Sequence, residues 1–152
     1  MEAIAHTRDT RHGMTWIFWA LLSATFAAAT ALLAKVGVEN IDSNLATAIR
    51  TTVVLVFTWA IALSLNVHHG IPAISRRSWI FLVLSGCCTG LSWLCYFRAL
   101  QLGPVNGVAP IDKLSVPLVL IFAWLFLGES LTPIKIFGGS LLTAGALILA
   151  FA

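Results

Sequence analysis

Charge is what this sequence has least of. Only 10% of its 152 residues are Asp, Glu, Lys or Arg, against 59% that are hydrophobic. A soluble domain needs roughly a quarter of its residues charged to cover its surface. The shortage excludes such a domain and puts lipid around most of the chain. The net charge is +3, yet no basic stripe with interleaved aromatics is present, and the few Lys and Arg fall mostly at the ends of apolar runs. Nucleic acid is not an expected partner. Cysteine is scarce too. Cys87, Cys88 and Cys95 share one apolar run, where helical neighbours diverge and positions seven apart cannot be bridged. With no Cys-x-x-Cys spacing they read as small packing residues, not as a disulfide or zinc framework. His68 and His69 are adjacent in a loop and lack a companion carboxylate or cysteine, so no metal site is expected. No nucleophile–base pair, phosphate loop or acidic dyad stands out, so nothing points to an enzyme or a bound cofactor.

Long apolar runs are what the sequence does have. The spacing of polar breaks predicts spans over about 16–34, 45–67, 78–102, 105–127 and from Pro133 to the C-terminus. Each is long enough to cross a hydrocarbon core of roughly 30 Å at about 1.5 Å per residue. The expected fold is an all-α membrane protein, a single five-helix bundle over 16–152 preceded by a polar cytoplasmic tail over 1–15. The first span has a basic flank and an Ala-rich end that imitate a signal peptide. Its apolar run exceeds a usual h-region and no soluble domain follows, so it is expected to be retained. Ser43 or Asn44 is available to cap the second helix, and Thr132-Pro133 supplies a cap and an N1 proline for the fifth. Gly103-Pro104 reads as a tight turn, since glycine commonly follows a helix end and proline can begin the next helix. Gly86 and Gly90 form a small-xxx-small pattern, and Gly139 and Gly145 leave similarly thin faces for close helix packing.

With the N-terminus inside, Arg8, Arg11, Arg76, Arg77 and Lys135 lie on the inner side, and Lys35 and Arg98 on the outer side. The positive-inside rule therefore predicts N-in and C-out in the cell's inner (plasma) membrane. Trp16, Trp19 and Trp79 suit the interfacial belt.

Two cationic positions and one acidic position remain inside the membrane. Arg50 is early in the second span, and Asp112-Lys113 sits in the fourth, bracketed by Pro110 and Pro117. A charge at the bilayer centre costs about 2.5–3.5 kcal/mol on insertion scales. Counting residues from the outer ends puts Arg50 and Asp112 at a similar depth of roughly 8–11 Å, with Lys113 about 100° round the helix from Asp112. Two readings stay open. In one, Arg50, Asp112 and Lys113 face a polar cavity where they meet a substrate or coupling ion, with Trp93 and Tyr96 as aromatic walls. In the other, Arg50 pairs with Asp112 to join two helices while Lys113 snorkels to the interface. Glu129, at the inner end of the fourth span, reads as a boundary residue that caps or pairs with Lys135.

Several of these residues together resemble a known group. Tyr96-Phe97-Arg98-Ala99-Leu100, the Gly103-Pro104 turn, the stretch Phe126-Leu127-Gly128-Glu129-Ser130-Leu131-Thr132, Gly138-Gly139 and Ala144-Gly145 look like the EamA-type repeat of the drug/metabolite transporter superfamily. Arg50 matches an arginine common early in its second helix. The resemblance is best over about 79–150 and thinner over 16–78. Most members carry two such units with inverted halves; this chain resembles the single-repeat branch, and Asp112-Lys113 departs from the usual pattern. The resemblance implies a secondary transporter of a small metabolite or drug-like solute, without a cofactor. It also implies a second unit, in a homodimer or an inverted partner chain, because five helices enclose little of a midplane pathway. The alternatives are a non-transporting accessory subunit of another membrane protein and a partner in translocating a lipid-linked carrier.

Overall fold

The computed structural model describes the backbone of residues 2–152 and the side chains of 16–152. It is all-helical among the described residues, with α1 (Glu2–Gly37), α2 (Ser43–Ser64), α3 (Arg76–Leu102), α4 (Val105–Asp112), α5 (Ser115–Leu127) and α6 (Pro133–Phe151). Five segments are long and apolar enough to cross a membrane: Trp16–Gly37, Ser43–Ser64, Arg76–Leu102, Val105–Leu127 and Pro133–Phe151. The polar tail expected over 1–15 lies outside the described side chains.

Most helix ends follow from local chemistry. Asp42 caps α2 by accepting from the Asn44 and Leu45 amides at 2.9 and 3.3 Å, one residue before the caps expected from sequence. Its carboxylate suits the positive end of a helix dipole. Ser75 caps α3 by accepting from the Ser78 amide, and Thr132 caps α6 ahead of Pro133, as expected. Pro104 begins α4 after the extended Gly103. α5 stops at Gly128, whose φ of 70° is the left-handed conformation glycine adopts without a Cβ penalty. Between α2 and α3 the chain forms a 3-10 helix, Val67–Ala73.

Two boundaries differ from the sequence reading. α1 continues through Lys35 to Gly37, so Lys35 belongs to its last turn and not to a loop. The fourth span is two helices, not one. Pro117 has no amide to reach the Lys113 carbonyl, which instead accepts from Val116 at 3.0 Å. The chain tightens here into shorter-range bonds, Lys113 to Pro110 and Leu114 to Ile111, each 3.0 Å. The two prolines thus break the span where its charges lie.

α1, α3 and α6 finish, and α2 and α4 begin, at the same end of the bundle, here called the Gly37 end. Every buried residue among those described lies within about two turns of it. Ala34, Val38, Ala46, Phe97 and Leu100 form the core, with Tyr96, Val105 and Val108 packed against them. α4 packs chiefly on α6 and α2 on α3. Lys35 crosses from α1 to the carbonyls of Leu100 and Gly103, at 2.6 and 2.9 Å, and Gln101 donates to those of Val38 and Ile41. The Leu100 carbonyl is one that a helix end leaves without an intrahelical donor, and the other three belong to the connections that follow α1 and α3.

Candidate substrate-binding cavity

Just below the Gly37-end core lies a cavity of about 350 Å³ lined by Arg50, Trp93, Tyr96, Asp112 and Lys113. All five residues singled out from sequence as substrate or coupling-ion candidates therefore line one space. α2 delivers Arg50 about two turns from its start, and α3 delivers Trp93 and Tyr96 on one face, three residues apart. The broken fourth span delivers the two charges from the last residue of α4 and the turn after it. The common depth is about 10 Å from the Gly37 end, at roughly 1.5 Å per residue.

The charges do not pair as the second reading requires. Asp112 accepts from the Lys113 ammonium at 3.1 Å, which is the ion pair found among the described residues. Arg50 makes no ion pair with Asp112. Its guanidinium carbon lies 4.1 Å from the centroid of the Trp93 ring and 5.5 Å from that of Phe97. Stacking of this kind contributes about 0.5–2 kcal/mol, more where water is excluded. Helix joining by Arg50 thus runs through α3 and not α4. Lys113 is held by its neighbour and lines the cavity, so the expected snorkelling is replaced by a local pair.

Sequence reasoning missed other lining groups. Thr30, Ser92 and Ser115 bring hydroxyls, and Ala27 and Ala31 form the α1 wall. A signal existed in α1, where alanines and serine at 20, 23, 24, 27, 28 and 31 repeat at helical spacing and mark a thin face. That face opens a second, mostly apolar groove of about 740 Å³ against α4 and α6. It shares Ala27, Ala31, Tyr96 and Lys113 with the polar cavity, so the two spaces adjoin.

The remaining candidates lie elsewhere. Pro104 lies at the start of α4 and Pro117 just beyond the break in the fourth span. Gly139 faces α5, where an added Cβ would lie 3.4 Å from Leu120 and 3.9 Å from Pro117. Gly145 lines the apolar groove. A Cβ on Gly86, Gly90 or Gly145 would meet nothing within 4 Å, so these three make no close helix contact among the described residues. Glu129 does not pair with Lys135, whose ammonium donates to the Ser130 carbonyl at 3.1 Å. His68 and His69 lie with ring centroids 4.0 Å apart, and no group of three or more metal-ligating side chains occurs among the described residues.

Comparison with known proteins agrees with this architecture. The EamA-like transporter family matches residues 14–151. A protein of Sinorhizobium sp. named "uncharacterized transporter in cobO 3'region" is 53% identical over 136 residues, covering 90% of this chain and 96% of that one. No solved structure matches. With five membrane-crossing helices and a match over nearly its whole length, the chain is a multi-pass membrane protein that belongs to the EamA-like transporter family.

Proposed function

We propose that the chain is a secondary transporter that binds a small metabolite or drug-like solute in the cavity below the Gly37-end core. The observation that carries this reading is the convergence of Arg50, Trp93, Tyr96, Asp112 and Lys113 on one space. Charged side chains at this depth are costly and mark transport pathways, and a broken helix beside such a site is a recurring way to present polar groups to a solute. Asp112 and Lys113 sit at the break itself, where a change in the angle between α4 and α5 moves both. The N-terminus faces the cytoplasm of a plasma-membrane protein, following the distribution of Lys and Arg.

The working unit is a dimer. Away from the Gly37 end no described residue is buried, and Gly86 and Gly90 face open space on α3. A second copy, or an inverted partner chain, supplies the missing wall. Counterflow into proteoliposomes containing only this chain tests the proposal with separately labelled amino acids, organic acids and amines. The expected result is exchange of at least one class, lost in Arg50→Gln and Asp112→Asn proteins that remain folded. Absence of flux by the folded chain, with flux appearing when a second membrane protein is added, would support the accessory-subunit reading instead. Crosslinking in native membranes tests the dimer, and transport by a dilute monomer would rule it out.

A further inference from the structure

Three charged side chains line the polar cavity, and only two of them answer one another. Asp112 and Lys113 meet at 3.1 Å and offset each other's charge. Arg50 has no carboxylate partner among the described residues. Its guanidinium carbon lies over the Trp93 ring at 4.1 Å, an aromatic contact and not a hydrogen bond to an oxygen. None of its N–H groups donates to a protein acceptor among the described residues. Those donors have the fork geometry that fits a carboxylate or phosphate. The adjoining apolar groove of about 740 Å³ is walled by Ala20, Ala24, Ala28, Leu142 and Leu149, and begins where Tyr96 and Lys113 end the polar space.

From this pairing of an unanswered guanidinium with an apolar annex, we propose that the cavity takes an amphipathic organic monoanion. Its anionic group is held by Arg50 and its uncharged body lies in the alanine-lined groove. This rests on the cavity being the solute site of the proposed transporter. The charge balance decides the class. A cationic solute would add a third positive group to a space whose single carboxylate is already engaged. A neutral solute would leave Arg50 uncompensated at a depth where the charge is costly. A monoanion brings the site to neutrality; a dianion overshoots it. The same chemistry occurs in two sources, a soluble aromatic or aliphatic acid and the headgroup of an anionic lipid.

The test uses the full chain in phosphatidylcholine nanodiscs and three probes of one shape: phenylacetate, phenylacetamide and phenethylamine. Calorimetric titration should show phenylacetate binding about tenfold to a hundredfold more tightly than either isostere, the effect of one or two hydrogen bonds to a charged group. Arg50→Gln should erase that preference and Arg50→Lys should keep part of it. The order of the three probes on the unsubstituted protein stands as a test even where a variant fails to fold. Repeating the titration with phosphatidylglycerol in the disc separates the two sources. Weakened phenylacetate binding assigns the site to lipid, and unchanged binding assigns it to the soluble acid. Equal affinity for the three probes, no binding up to millimolar concentration, a preference for phenethylamine, or a preference that survives Arg50→Gln would each overturn the proposal. Binding of phenylacetate without counterflow of any solute would sink the transporter reading and leave this one standing. Counterflow confined to amines would do the reverse.

Discussion

At the Gly37 end Leu100 is fully buried and Val38 is 1% exposed, while at the opposite end Trp16 is 65% and Phe126 75% exposed. The two ends are made of similarly apolar residues, so composition does not separate them. Cross-helix polar ties do. Lys35 and Gln101 bind carbonyls at the end of a neighbouring helix or in its connecting loop across the Gly37 end. At the opposite end the side-chain hydrogen bonds among the described residues, such as Lys135 to Ser130 and Ser78 to Ser75, are local in sequence and join no two spans. In lipid the hydrophobic effect gives helices no reason to associate, and packing and hydrogen bonds must do so. One end therefore closes by itself, whereas the other leaves its apolar faces for lipid or for a second copy. The cavity lies directly beneath the closed end.

The largest expected difference between the two ends is in side-chain truncation. Leu100→Ala should destabilise by about 2–3 kcal/mol, the lower part of the range for a buried leucine, because lipid and not water is the competing environment. Leu125→Ala on α5, where the leucine is 61% exposed, should change stability by no more than about 0.5 kcal/mol. Unfolding in mixed micelles by titrated denaturing detergent measures both. Equal losses would mean that the open end is packed in the membrane by contacts within the chain.

Next in size comes the tie itself. Lys35→Met keeps the apolar stem but strips the donor from the Leu100 and Gly103 carbonyls. Hydrogen bonds from a charged group contribute about 1.5–3 kcal/mol, so a loss of about that size is expected. Hydrogen exchange should quicken in the last turn of α3 and not at the start of α6. Unchanged exchange near Gly103 would show that the closed end does not depend on Lys35.

Why some of this was legible in the sequence and some was not has physical causes. A lipid-facing helix must be apolar along its whole length, which is why five spans and their turns at Gly103-Pro104 and Thr132-Pro133 stood out. The end of α1 did not, because apolar periodicity stops at Ala34 although the helix goes on to place Lys35 against α3. The break in the fourth span was signalled by Pro110 and Pro117, yet the segment remains hydrophobic enough to read as one helix. That break changes the chemistry. On a regular helix, adjacent side chains diverge, so Asp112 and Lys113 pointed apart in the sequence reading. Where the helix tightens they meet at 3.1 Å instead. Arg50 was legible as a membrane charge, but its partner was not. An aromatic face carries no charge to search for, and Trp93 is remote from Arg50 in the chain.

That change of partner gives a sharper, smaller prediction. In a double-mutant cycle, Arg50→Ala with Trp93→Ala should show a coupling of about 1 kcal/mol, from the stacked contact at 4.1 Å. Arg50→Ala with Asp112→Ala should come close to additive, since each residue has another partner. Strong coupling in the second cycle and none in the first would restore the pairing of α2 with α4.

The smallest expected effect is at the glycines of α3, and its sign is informative. A Cβ at Gly86 or Gly90 meets nothing within the chain, whereas one at Gly139 falls 3.4 Å from Leu120. Alanine is the better helix former by about 0.8–1.0 kcal/mol. Gly86→Ala and Gly90→Ala should therefore leave the monomer as stable as before or make it slightly more so, while Gly139→Ala should gain less because its new methyl group must share space with α5. If the open half is completed by a second copy through α3, bulk on this face should act on association alone. Gly90→Leu should reduce crosslinked dimer in membranes while the monomer still unfolds at its usual denaturant concentration. Loss of monomer stability on Gly90→Leu would place another part of the same chain against α3. Unchanged dimer together with unchanged stability would move the contact to another face, with α6 the next to test through Gly138→Leu.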